Sequence, residues 1–181
     1  MKAIILLADG FETVEALQTY DVLKRAKTFD VRLVSISSSL EVHSSIGVAV
    51  KAEKLIDEIH PEDEDMLILP GGKLGVENLS KSEKVIQMIH DFFRLGKDVH
   101  AICAAPSILG SLGYLDELPY TCFPGFQIGN GLWQDQGVVI TDHIITGRSM
   151  GYTLEFAEAI VRHYFYEPGF DIIRPGIYGL Q

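Results

Sequence analysis

The chain has 181 residues, enough for one sizeable core and too few for two ordinary domains. Hydrophobic residues make up 47% of it and the formal net charge is −10, which fits a soluble globular protein and argues against a broad phosphate-binding surface, so nucleic acid is a poor partner. No basic leader or bilayer-length apolar stretch opens the chain, and Cys103 and Cys122 make neither a disulfide framework nor a zinc spacing; a cytoplasmic home without membrane contact is expected.

Residues 3–8 form a continuous apolar run, as a parallel strand buried on both faces requires, and Ala16, Tyr20, Leu23 and Ala26 then recur at helical spacing. Residues 31–36 predict a second strand, and 40–50 a short hairpin or edge excursion. Residues 66–69 predict a strand that enters a tight turn at Pro70-Gly71-Gly72. Ser80 and Glu83 have capping-box spacing ahead of a helix with the stripe Val85, Ile86, Ile89, Phe92 and Phe93, stopped by Gly96. A further strand, 99–102, runs into Cys103 and the small residues that follow it. Residues 138–140 and 143–145 predict a β-hairpin, and Ala157, Ile160, Val161 and Tyr164 mark a last long helix. The alternation implies an α/β three-layer sandwich around a mostly parallel sheet, with residues 1–167 as one domain and the Pro- and Gly-containing tail, 168–181, as an extension of it.

In such a sheet the functional crevice lies at the carboxyl ends of the strands. Three features fall there: the segment 9–15 with Glu12 and Glu15, the Pro70-Gly71-Gly72 turn, and Cys103. Each has a plain structural reading. A cysteine after a strand can be a small core residue, acidic side chains suit a helix N-terminus, and glycines make turns. Their shared placement is what points to chemistry, with Cys103 as a nucleophile whose thiolate a helix N-terminus favours. His100, three residues earlier on the strand, reads as structural, because alternate strand residues face opposite ways. Asp9 and Asp98 read as solvated strand ends.

The strings Ala101-Ile102-Cys103-Ala104-Ala105-Pro106, Leu69-Pro70-Gly71-Gly72 and Gly10-Phe11-Glu12-Thr13-Val14-Glu15 resemble the ThiJ/PfpI superfamily, in the branch of the Parkinson-disease protein seven, or protein deglycase. The resemblance extends to about Val161 and includes 78–80 and 146–149. It implies a flavodoxin-like fold with a nucleophile-elbow cysteine, Cys103 as the reactive nucleophile, and Glu15, rather than Glu12, as the acid beside its sulfur. Backbone N–H groups of Gly72 and Ala104 are then an oxyanion hole, with Gly71, Phe123 and Cys122 lining the pocket. The implied reaction is attack on a small reactive carbonyl or glycated substrate to give a hemithioacetal, with Glu15 moving the proton and no metal or organic cofactor. A homodimer is implied by the same resemblance.

Two departures bear on activity. Phe123 stands before Pro124 where many members have histidine, so no Cys-His dyad can form at that position, and Ile46 stands where relatives often carry an arginine. Cys122 is either a resolving partner for an oxidised Cys103 or a small neighbouring side chain. A glutamine amidotransferase would want a glycine-flanked cysteine and a downstream His and Glu, which Ala101, Ala104 and the rest of the chain do not supply. The alternative outside enzymes is a redox-sensing or chaperone-like stress protein whose Cys103 is oxidised without specific turnover.

Overall fold

The computed structural model describes residues 1–180, with side chains described throughout except at 166–169. In chain order the elements are β1 (Lys2–Leu7), α1 (Thr13–Arg25), β2 (Asp30–Ser35), β3 (Glu41–His43), β4 (Ala49–Lys51), β5 (Lys54–Leu55), β6 (Met66–Leu69), α2 (Lys73–Lys81) and α3 (Glu83–Arg94). They continue with β7 (Asp98–Ile102), α4 (Pro106–Ser111), β8 (Pro119–Tyr120), β9 (Leu132–Trp133), β10 (Val138–Thr141), β11 (Ile144–Gly147) and α5 (Thr153–Tyr178). A seven-stranded sheet runs in the order β10-β11-β7-β6-β1-β2-β5. Only β10 is antiparallel to its neighbour within it.

The expected flavodoxin-like sandwich follows from where the apolar side chains go. Alternate residues of β1 enter opposite layers: Ile4 and Leu6 join Val85, Ile89 and Phe92 of α3 and Ile108 and Leu109 of α4, while Ala3, Ile5 and Leu7 join Ala16 and Leu23 of α1 and Phe156, Ile160 and Val161 of α5. Burial on both faces explains why β1 reads as an unbroken apolar run rather than an alternating one. Each large aliphatic side chain so buried contributes roughly 1.5–3 kcal/mol. Among the described residues no helix is long and apolar enough to cross a membrane.

The segment 40–50 does form a hairpin, β3 with β4, and 138–147 the antiparallel β10–β11 pair. Other expectations are corrected. Ser80 lies inside α2, a helix the sequence reading did not anticipate, and it is Ser82 that caps α3 by accepting a hydrogen bond from the Val85 N–H. In the tail, α5 continues to Tyr178, with Phe170 and Ile173 buried against the α1 layer. The small β8–β9 pair was also not foreseen, because two-residue strands leave no periodicity to read.

Asp98 is likewise not a solvated strand end. It is 8% exposed and accepts hydrogen bonds from the Tyr164 hydroxyl of α5 and from His143 Nδ1, the latter at 2.6 Å. Beside it His100 is fully buried, its Nδ1 accepting from the Ile145 N–H at 3.1 Å and its Nε2 lying 3.2 Å from the Tyr164 hydroxyl. This group ties β7, β11 and α5 together at the end of the sheet opposite Cys103. Burial pushes the His100 imidazole down from 6.5 to about 3, so it is held neutral. Between those values the unfolded chain binds a proton that the folded one refuses; this share of stability is complete above pH 6.5 and is lost as pH falls toward 3. Urea unfolding at pH 7 and pH 4.5 should therefore give a His100→Gln protein, which has no proton to gain, a loss of stability smaller than that of the wild type by about 2 kcal/mol; equal losses would show that His100 is not the acid-sensitive group.

Candidate active site

Strand register builds the site. In the parallel β6–β7 pair Leu69 lies opposite Ala101, so two residues further on Gly71 comes level with Cys103. On the other flank of β6 lies β1, whose continuation leads into α1 and Glu15. The carboxyl ends of β1, β6 and β7 thus deliver a carboxylic acid, a glycine turn and a thiol to one place, where the strand order switches direction.

Cys103 occupies the sharp turn between β7 and α4 with φ +63°. A non-glycine residue in that region is strained by about 1–3 kcal/mol, and the strain persists only because the surroundings over-determine it. Here the Cys103 N–H donates to the Gly147 carbonyl of β11 at 2.8 Å, and the Cys103 carbonyl accepts from the Phe123 N–H at 2.8 Å. The turn after it is held by Ser107, whose hydroxyl donates to the Ala104 carbonyl at 2.6 Å. Backbone N–H groups of Gly72 and Ala104 both donate to the sulfur.

Glu15 is 1% exposed although it belongs to the first turn of α1. Its Oε2 accepts from the Gly71 N–H at 2.8 Å, its Oε1 is buried without a hydrogen-bond partner among the described residues, and its side chain is coupled electrostatically to the neighbouring Cys103. Gly71 makes the approach possible: a Cβ there would lie 2.5 Å from Glu15 Oε2 and 2.7 Å from the Cys103 Cβ. At Gly72 the backbone has φ +91° and a Cβ would collide with the Gly10 carbonyl, so both positions of the turn require glycine.

Burial raises Glu15 from 4.5 to about 7, with the charge of Glu12 adding to it. Burial also raises the Cys103 thiol, and the adjoining Glu15 carboxylate reinforces this, to about 12, against the two amide donors that pull it down. The simple expectation of an acidic thiol at a helix N-terminus is therefore not met. The six-residue α4 starts only at Pro106, and desolvation outweighs its dipole. The two groups titrate as a couple that carries one negative charge through neutral and alkaline pH. When Glu15 holds the proton, the two largest causes apart from burial vanish and the amides of Gly72 and Ala104 stabilise the thiolate.

Of the other residues singled out in the sequence, Phe123 is 44% exposed and flanks the nucleophile through its backbone bond. Cys122 is fully buried in the layer formed by α3 and α4, against which Cys103 also packs, and burial raises its thiol to about 11. Ile46 sits 74% exposed at the hairpin tip, where the neighbouring Ser45 hydroxyl donates to Glu12. Among the described residues no imidazole contributes to the shift of the Cys103 thiol. Asp9 is exposed at the end of β1, as a solvated strand end should be, and its side chain also accepts from the His43 N–H while its carbonyl accepts from Asn78 Nδ2, tying the hairpin and α2 to the site loop. Sequence reasoning missed Gly147 and Ser107 as supports of the elbow; the serine four residues beyond the cysteine was the one available signal.

Comparison with known proteins places this architecture. The model of the DJ-1/PfpI family matches residues 1–163. Protein DJ-1 homolog B of Arabidopsis thaliana is 35% identical over 91% of this chain and 38% of its own length. A deglycase of Pyrococcus horikoshii is 33% identical over 82% of this chain and 90% of its own. The chain thus spans about two fifths of the Arabidopsis relatives, 38% of one and 42% of the other, but nearly all of the archaeal one. Among solved structures, a cysteine-to-alanine mutant of a DJ-1 superfamily protein from Salmonella typhimurium superposes with a TM-score of 0.91 at 28% identity, covering 98% of each chain. Drosophila melanogaster DJ-1beta gives a TM-score of 0.91 at 26% identity over 97% of this chain and 96% of its own. With the family's model matching residues 1–163 and an archaeal relative 33% identical over nearly its whole length, the chain belongs to the DJ-1/PfpI family.

Proposed function

We propose that this protein acts on small reactive carbonyls or their glycation adducts, with Cys103 as nucleophile and Glu15 as the proton carrier. The observation that carries the reading is the placement of a buried carboxylic acid with an elevated pKa beside a thiol whose sulfur receives the Gly72 and Ala104 amides. The similarity to archaeal deglycases supports the same substrate class.

For methylglyoxal the steps are these. The Cys103 thiolate adds to the aldehyde carbon, the carbonyl π pair moves onto oxygen, and Glu15 delivers its proton there to give a hemithioacetal. The Gly72 and Ala104 amides lie beside the developing oxyanion. The Glu15 carboxylate then removes the hydrogen on that carbon, and the proton returns to the adjacent ketone carbon through an enediol. The first carbon is oxidised to a thioester as its neighbour is reduced to a carbinol. Water adds to the thioester, the thiolate leaves, and lactate is released. No external oxidant or reductant enters. The residue after Cys122 is phenylalanine, so Glu15 alone serves as base and slow turnover is expected. A homodimer fits this reading, since Val14, Ile46 and Val48 expose aliphatic side chains on α1 and the β3–β4 hairpin next to the site.

A second reading, redox sensing, is favoured by one specific observation: the two amides and a protonated Glu15 are also the donors that a sulfinate would need. A similar structure is that of an oxidised Toxoplasma gondii DJ-1, at 28% identity and a TM-score of 0.90.

Lactate formed from methylglyoxal should fall by about a hundredfold or more in Cys103→Ser and in Glu15→Ala. If no lactate appears in any of the three proteins while mild peroxide adds two oxygens to the wild type at Cys103 alone, the sensor reading replaces the enzyme. The proton couple makes its own prediction. Iodoacetamide alkylation of Cys103 should rise through an inflection near pH 7, where Glu15 titrates. Glu15→Gln should move that inflection upward by more than one unit; an unmoved inflection would place the titration on another group.

A further inference from the structure

The carbonyl of a glycation adduct is only its reactive end, and the remainder must lie somewhere next to the elbow. We propose that a groove between α2, α4 and the turn at 125–129 takes that remainder, and that Lys73 selects adducts whose carrier bears a carboxylate, as in the hemithioacetal or hemiaminal of an amino-acid unit. This rests on the carbonyl-directed reading of Cys103 and names its substrate class.

The groove measures about 310 Å³ and is lined by Lys73, Val76, Glu77, Ser107, Ile108 and Phe126, among others. Each arm of the site leads directly into one of its walls. Lys73 follows Gly72, whose N–H meets the sulfur. Ser107 donates to the carbonyl of Ala104, whose N–H is the second donor to sulfur. Phe126 is bonded through its N–H to the Phe123 carbonyl at 3.0 Å and meets the Phe123 ring edge-on at 6.3 Å, while the Phe123 N–H holds Cys103. The groove therefore begins one to three residues beyond each group that touches Cys103, next to the elbow.

The far wall is built rather than loose. The Ile128 carbonyl packs against Gly110 of α4 so closely that any Cβ there would collide with it, and the Gln127 side chain accepts from the Gly125 N–H at 2.8 Å. Val76, Ile108 and Phe126 supply apolar contact, and Ser107 contributes a hydroxyl. The charge pattern decides what fits. Lys73 is the one cation of the lining, and among the described residues it makes no ion pair, although the chain has a net charge of −10. It stands at the end of α2 nearest the sulfur, whereas the groove's carboxylate, Glu77, stands one helical turn farther along. A monocarboxylate seated at the near end meets attraction first; a second negative charge reaching farther meets Glu77.

The test uses one pair of carriers that differ in charge alone, the methylglyoxal hemithioacetals of N-acetylcysteine and of N-acetylcysteine amide. Wild type is expected to show a KM about three- to fivefold lower for the carboxylate, the size of a solvent-exposed ion pair. Lys73→Gln should erase that preference, Lys73→Glu should reverse it, and Glu77→Gln should enlarge it. Binding without turnover is read separately by NMR titration of Cys103→Ser protein with S-acetonyl-N-acetylcysteine, a stable thioether analogue, and its amide. The Ser107 and Phe126 resonances should move, and the carboxylate should bind the more tightly. Equal affinity for the two analogues, or a preference that survives in Cys103→Ser/Lys73→Gln, overturns the groove. A Lys73-dependent preference in the titration together with no turnover of methylglyoxal in any protein keeps the groove as a carboxylate site and overturns the carbonyl reading instead.

Discussion

A buried carboxyl set beside a half-buried thiol resists a second negative charge, and most of what is unusual near Cys103 follows from that restriction. Glu15 and Cys103 have to share a proton, so each sets the state of the other. The sharing requires an approach that only a glycine at position 71 allows, with the Gly71 N–H fixing one carboxyl oxygen and the other left without a hydrogen-bond partner among the described residues. It also requires the sulfur to be presented rather than buried in the core, which is the purpose of the strained turn at Cys103 and of the two backbone hydrogen bonds that hold it from opposite sides.

The sheet makes that arrangement rigid. Every strand end that contributes to the site is parallel and central, and the register of β6 with β7 fixes the height of the glycine turn relative to the cysteine. At the other end of β7 the group formed by Asp98, His100, His143 and Tyr164 anchors α5 to β7 and β11. One five-residue strand is thus pinned at both ends by polar contacts, in an interior where an unpaired polar group would cost about 1–3 kcal/mol. The strain at the elbow is sustained from both sides, by Gly147 of β11 and by the Phe123 backbone.

How much of this the sequence discloses depends on whether the signal is local. The β1 run, the α3 stripe, the glycine turn and the Cys103 string are contiguous, and each predicts its element because one helix or strand period suffices. Glu15 and Cys103 lie far apart in the chain and come together only through strand order, so their pairing was legible through likeness to a family and not through spacing. Asp98 was misread because its partners, His143 and Tyr164, lie on other elements. The depressed thiol pKa was misjudged for a different reason: a motif shows the helix that follows a cysteine but not the depth at which the sulfur sits, and depth decided the sign. Lys73 and Phe126 carried no signal at all, since a groove between two helices and a turn exists only in three dimensions.

The contrast between the two thiols has a practical corollary. Cys103 is partly exposed, whereas Cys122 is sealed in the layer beneath α3 and α4. A thiol reagent added to the folded chain consumes one equivalent; the second becomes available only when that layer opens. The rate at which Cys122 is labelled in the folded chain, set against its rate in the unfolded chain, therefore reports the opening free energy of the core, and the protein carries a built-in gauge of its own unfolding.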